Sequence, residues 1–144
     1  MGTKVTPFLM FQGGQARAAV ELYTAALPDG RLVEAAYYGP EGPGAEGTIV
    51  VARLSLAGQE VMVSDSPVPH AFGFTPSSSL FVDCASEAEL ERLAAMLGEG
   101  GEVLMPLGDY GFSRRFTWLS DRFGVSWQLN LPEGRPPRVD APRV

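Results

Sequence analysis

Hydrophobic and polar positions alternate most clearly near the C-terminal end of the chain. Val125, Trp127 and Leu129 interleave with Ser126, Gln128 and Asn130. A period of two predicts a strand with one dry and one polar face. A tryptophan on the dry face predicts packing against a helix, and a hydroxyl with two amides predicts a wet lining on the other. Upstream, Phe112 to Leu119 reads as a long strand, joined to the last by a turn over Ser120 to Gly124. The remaining pattern gives strands over Val5–Phe11, Arg31–Tyr38, Thr48–Leu56, Glu60–Ser64, Ser79–Asp83 and Glu102–Met105. Pro7 pushes the first of these toward a sheet edge or the start of a strand.

Two segments carry helical spacing instead. Ala16, Ala19, Val20, Tyr23 and Leu27 recur every three or four residues within Gln15–Leu27, and Pro28-Asp29-Gly30 stops them. Ala88, Leu90, Leu93, Ala94 and Leu97 do the same after Ser86-Glu-Ala-Glu89, a capping-box signature. Gly98, Gly100 and Gly101 end that helix. Gly39–Gly47 and Leu107–Gly111 read as loops, and Asp65–Ser78, with Pro67, Pro69 and Pro76, as a connector. The order is β-α-β-β-β, connector, β-α-β-β-β: one supersecondary unit used twice, over about 5–64 and 79–131. The expected organisation is a single α+β domain over 1–131 with a Pro-rich tail over 132–144, where four prolines fall in thirteen residues.

Composition narrows the function classes. A formal charge of −6, from 17 acids against 11 bases, disfavours nucleic acid and anionic membrane surfaces. No apolar run approaches the ~20 residues of a membrane span. A single cysteine, Cys84, forbids an intrachain disulfide, and with no signal-peptide core the expectation is a cytoplasmic protein. One Cys and one His cannot build a Cys/His zinc site.

The βαβββ pair resembles the vicinal oxygen chelate superfamily of glyoxalase I, bleomycin-resistance proteins and extradiol dioxygenases. More narrowly it is similar to the PhnB-like, 3-demethylubiquinone-9 3-methyltransferase-like branch. Pro7-Phe-Leu-Met-Phe11, Gly14 to Tyr23, Pro28-Asp29, Gly58-Gln59, Asp65, Leu97 to Glu102 and Trp118 to Gln128 carry the resemblance. It implies a mixed, curved sheet forming a cup in each half, a pocket inside, and a homodimer. In metal-dependent members, His, Glu or Gln on the first and last strands of each half hold a divalent ion. The positions that match here are Phe8, Met62, Ser77 and Gln128. Phenylalanine cannot ligate and a thioether suits soft ions, so no metal and no cofactor is expected.

The expected pocket lining is Phe8, Met10, Met62, Ser77, Phe81, Ser126, Gln128 and Asn130, an apolar wall with a few polar groups. His70, the only histidine, and Asp65 are the acid/base candidates; the plainer readings are an exposed loop histidine and a turn cap. Cys84 reads as a small buried thiol, and Arg114-Arg115 as one arginine to each face of a strand. No glycine-rich strand-to-helix turn of a parallel α/β unit supports methyl transfer. The expected function is metal-free small-molecule binding. The alternatives are a metal-dependent lyase, isomerase or dioxygenase, and a non-enzymatic dimeric module.

Overall fold

The computed structural model describes residues 2–132. The predicted Pro-rich tail lies, from residue 133 on, outside the described residues. The described chain divides between Gly73 and Phe74 into two compact units. Each is a four-stranded mixed sheet with one helix, so the α+β class and the repeated βαβββ order hold.

In the first unit the elements are β1 (Phe8–Phe11), α1 (Ala16–Ala26), β2 (Arg31–Tyr37), β3 (Ile49–Leu56) and β4 (Gln59–Asp65). The strand order is β1-β4-β3-β2, with β1 parallel to β4 and the other pairs antiparallel. Helix α1 buries Ala16, Ala19, Val20 and Tyr23, and the sheet face under it buries Ala52, Leu54, Val61 and Val63. Gln15 has no side-chain cap bond and the first turn carries no acid. The Asp65 carboxylate, at the end of β4, instead accepts from the Ala16 N–H at 2.9 Å. It thereby satisfies an orphan donor of the helix start. Asp65 was expected in the connector. It is the last residue of β4, because Phe11 pairs with it and extends the ladder.

The second unit repeats the plan with β5 (Ser79–Asp83), α2 (Glu87–Gly98), β6 (Glu102–Gly108), β7 (Arg115–Ser120) and β8 (Ser126–Leu131) in the order β5-β8-β7-β6. Ser86 caps α2 by accepting from Glu89 N–H, and Glu89 reaches back to the N–H of Ala85. The predicted dry face of the last strand is dry: Trp127, Leu129 and Leu131 are buried, with Leu90, Leu93 and Leu97 of α2 in the same core. Two strand limits differ from expectation. β6 runs on through Pro106 to Gly108, which an edge strand tolerates because a proline there need not donate to the ladder. β7 starts at Arg115 and not at Phe112.

The turn from β7 to β8 is built around Asp121, which is buried. Its Oδ1 accepts from the N–H groups of Phe123 and Val125, and its Oδ2 from Trp127 Nε1 at 2.9 Å. Beside it, Gly101 passes so close to Ser120 and Asp121 that a methyl group would overlap the Ser120 carbonyl oxygen. Gly101→Ala is therefore expected to cost about 1–3 kcal/mol, read as a lower urea midpoint at unchanged slope.

Candidate functional site

Each sheet has one face under its helix and one face free of it. The strand registers decide which side chains share the free face. In the first unit Phe8 lies opposite Met62, and Met62 opposite Arg53; Met10 lies opposite Ser64. In the second unit Phe81 lies opposite Gln128, and Gln128 opposite Trp118. The repeat thus aligns Phe8 with Phe81, Met62 with Gln128 and Arg53 with Trp118. Ser77, expected at the position matching Phe8, sits in a turn before β5, with its Oγ 2.8 Å from Thr75 Oγ1. The register gives that position to Phe81. The Pro-rich connector has no periodicity from which a strand start could be read.

The free face of the second unit is aromatic with a polar spine. Phe81 and Phe112 are more than half exposed, and Phe116 stacks edge-on with Phe112 at 4.9 Å between centroids. Gln128 and Asn130 are partly exposed along β8, and Asn130 Nδ2 donates to Asp83 Oδ1 at 2.8 Å. Ser126 is on the same face but fully buried. It accepts from Trp118 Nε1 and shares a 2.6 Å hydrogen bond with Ser79. Its hydroxyl holds three strands together and does not offer itself to a ligand.

The free face of the first unit carries a row of charges that alternation alone did not single out. Glu34, Arg53, Glu60 and Lys4 follow one another across β2, β3, β4 and the N-terminal segment. The Arg53 guanidinium lies 3.1 Å from Glu34 through Nε and 2.6 Å from Glu60 through Nη1, and Lys4 lies 2.7 Å from Glu60. The Lys4 ammonium, and after it Arg53, holds the Glu60 carboxyl below the usual carboxylate range despite some desolvation. Glu60 therefore keeps its charge at neutral pH and loses it only as the pH falls through that lowered value. A cavity of about 330 Å³ opens on this face, lined by Glu34, Ala36, Val51, Arg53 and Met62.

A second cavity, of about 400 Å³, lies at the start of α1 and is lined by Gly13, Gly14, Thr48, Asp65, Ser66 and Pro67. Both acid/base candidates fall near it, each already committed. Asp65 is buried and accepts from two backbone N–H groups, of Ala16 and of Ile49. His70 is not a bare loop histidine. Its Nε2 lies 2.8 Å from Ser66 Oγ, its ring stacks on Phe72, and its own N–H donates to Gln12 Oε1. The helix start, where a phosphate would otherwise find N–H donors, already has a carboxylate on it.

Cys84 is buried as expected, and burial, with Glu89 and Asp83 nearby, pushes its thiol up to about 11. At neutral pH it stays a thiol, and iodoacetamide is expected to label it only upon unfolding. A raised folded value also means the unfolded state gives up the proton first. Stability is then expected to fall between about pH 9 and pH 11, and Cys84→Ala to remove that slope, read by urea midpoints against pH. Arg115 reaches α2, with Nη1 2.6 Å from Glu87, whereas Arg114 precedes β7 and is exposed. The two do not divide between the faces of a strand as expected.

The ligand set that the superfamily resemblance implies for a metal ion does not fit here. By register it is Phe8, Met62, Phe81 and Gln128, and only the glutamine amide offers a hard oxygen donor. Among the described residues, no three His, Cys, Asp or Glu side chains cluster so as to hold an ion. No helix among them is long and apolar enough to cross a membrane.

Comparison with known proteins agrees with this architecture. The PhnB protein of Bacillus cereus, described as a putative 3-demethylubiquinone-9 3-methyltransferase, is 46% identical, with a TM-score of 0.86 over 90% of this chain and 99% of that one. The fosfomycin resistance protein FosX of Listeria monocytogenes, solved as a mutant with manganese(II) and a dihydroxypropylphosphonic acid, shares the fold: TM-score 0.56 and 11% identity over 93% of this chain and 94% of that one. Protein YjdN of Escherichia coli is 26% identical over 88 residues, 61% of this chain, and the match spans 59% of that relative's length. The family model described as 3-demethylubiquinone-9 3-methyltransferase matches residues 3–130. The chain belongs to that family, in the PhnB-like branch of the vicinal oxygen chelate superfamily.

Proposed function

We propose that this protein binds a small organic molecule on the free face of its sheets, without a metal ion, and does so as a homodimer in the cytoplasm. The observation that carries the reading is the donor set at the four strand positions. Two phenylalanines and a methionine give an apolar contact surface, and one glutamine gives a polar handle. Phe8 and Phe81 are each more than half exposed there, an apolar area that a ligand or a second copy of the chain would cover. Methyl transfer is not part of the proposal. The sheets are mixed, the start of α1 is taken by Asp65 and that of α2 by Ser86, which leaves neither helix start open to a nucleotide-type cofactor.

A metal-dependent lyase, isomerase or dioxygenase is the second reading, favoured by the manganese in the FosX complex. Glu34 and Glu60 share the free face with Met62 by register, and both are paired with Arg53. A cation would have to break those pairs. Elemental analysis of protein purified without chelator separates the readings. The proposal expects substoichiometric metal and no rise of Tm on adding Mn²⁺, Zn²⁺ or Mg²⁺. Stoichiometric metal retained through dialysis would favour the second. A metabolite that raises Tm supports binding. If a broad metabolite screen finds none, the non-enzymatic dimeric module is favoured. Sedimentation at twice the 15.4 kDa chain mass is the expected dimer result.

A further inference from the structure

We infer that the cavity on the free face of the first unit takes a small carboxylic acid with an apolar body, and that Arg53 is the residue that recognises it. The inference rests on the proposed reading of the free faces as ligand surfaces. It adds the class of ligand and the residue.

The walls of this cavity are apolar side chains from β2, β3 and β4, among them Ala36, Val51 and Met62. One cation stands among them. Arg53 is about one-third exposed, and it is held in place from two sides by Glu34 and Glu60. Glu60 is in turn fixed by Lys4, so the guanidinium is oriented before any ligand arrives. Its Nη1 donates to Glu60 Oε2 at 2.6 Å, and its Nε lies 3.1 Å from Glu34 Oε1. A guanidinium has five N–H donors in a planar fork, and a carboxylate is the planar acceptor that matches two of them at once.

The ion pairs do not account for this arrangement by stability alone. Arg53–Glu34 is a solvent-facing pair, with the Glu34 side chain 68% exposed. Such pairs contribute little. Glu34 is also the partner that can move aside: it is the more exposed of the two acids, while Glu60 is 23% exposed and doubly paired. An acid entering the cavity would share Arg53 with Glu34 or replace it. An amine would instead be held by Glu34 itself. The two ligands respond oppositely to removal of the Glu34 charge.

The test is a ¹H–¹⁵N titration of the full chain with three probes of nearly the same shape: benzoate, benzyl alcohol and benzylamine. Benzoate is expected to move the amides of Val51, Arg53 and Met62 and to bind at least about 10-fold more tightly than benzyl alcohol. Glu34→Gln is expected to tighten benzoate about 3-fold, because a competing negative charge is gone. Arg53→Met is expected to abolish the preference for the acid. Arg53→Lys keeps the positive charge beside Glu34 and Glu60, so its fold is safer, and it is expected to lose about 5-fold through loss of the fork. If benzoate and benzyl alcohol bind this face equally, the acid preference is wrong while the free-face reading stands. If benzylamine binds best and Glu34→Gln removes it, the ligand is an amine and the inference fails. If none of the three moves these amides, both the inference and the free-face reading for this unit fail.

Discussion

Replacing Asp121 by alanine is expected to remove about 4 kcal/mol of stability, the largest single loss expected of a polar side chain among the described residues. The reason is the arrangement at the β7–β8 turn. One buried carboxylate accepts from two backbone N–H groups and from the Trp127 indole. Alanine leaves all three donors without that acceptor, two of them in the core. A buried donor without an acceptor costs more than an exposed one, because water cannot replace the lost partner. Asp121→Asn should lose about half as much, since one oxygen can still accept while the amide faces a donor. Urea unfolding measures both, and the near-UV signal of Trp127 should weaken in the alanine variant. A loss below about 1 kcal/mol would show that the turn is held by other means.

Asp65→Ala is the second large effect, expected at about 3 kcal/mol. This carboxylate ties the start of α1 to the start of β3 from the end of β4, through the Ala16 and Ile49 N–H groups. It is also, beside His70, one of the two acid/base candidates that the sequence offers. The two roles separate cleanly. A structural clamp loses stability when cut, whatever ligand is present. A base on a free carboxylate would lose turnover and leave the urea midpoint near its original value. The geometry predicts the first outcome, because both oxygens already accept from the backbone.

Much of the architecture was legible because it rests on periodicity. The alternation from Val125 to Asn130 named the dry face of β8, and Trp127 is buried on it. The Ser86-x-x-Glu89 signature placed the start of α2 where the cap bond forms. What periodicity assigns is a face, not a partner. Ser126 was on the expected side, yet its hydroxyl is consumed by Trp118 and Ser79, and no one-dimensional pattern carries that. Register was illegible for the same reason. Ser77 and Phe81 stand four residues apart after a proline-rich connector, and only the pairing of β5 with β8 decides between them. Arg53 is not legible as a site residue, because a charged residue at an alternating position reads as solvated surface. The pairs to Glu34 and Glu60 come from two other strands, one of them bulged.

The central claim is that the free sheet faces hold a small molecule with no metal at the superfamily's ligand positions. A crystal structure of the full chain, grown with a ligand that raises Tm and with Mn²⁺ and Zn²⁺ present, tests it most directly. The account predicts ligand density against Met62 or Gln128 and no anomalous peak coordinated by the side chains of that face. An anomalous peak held there by Gln128, Glu34 or Glu60 would contradict it.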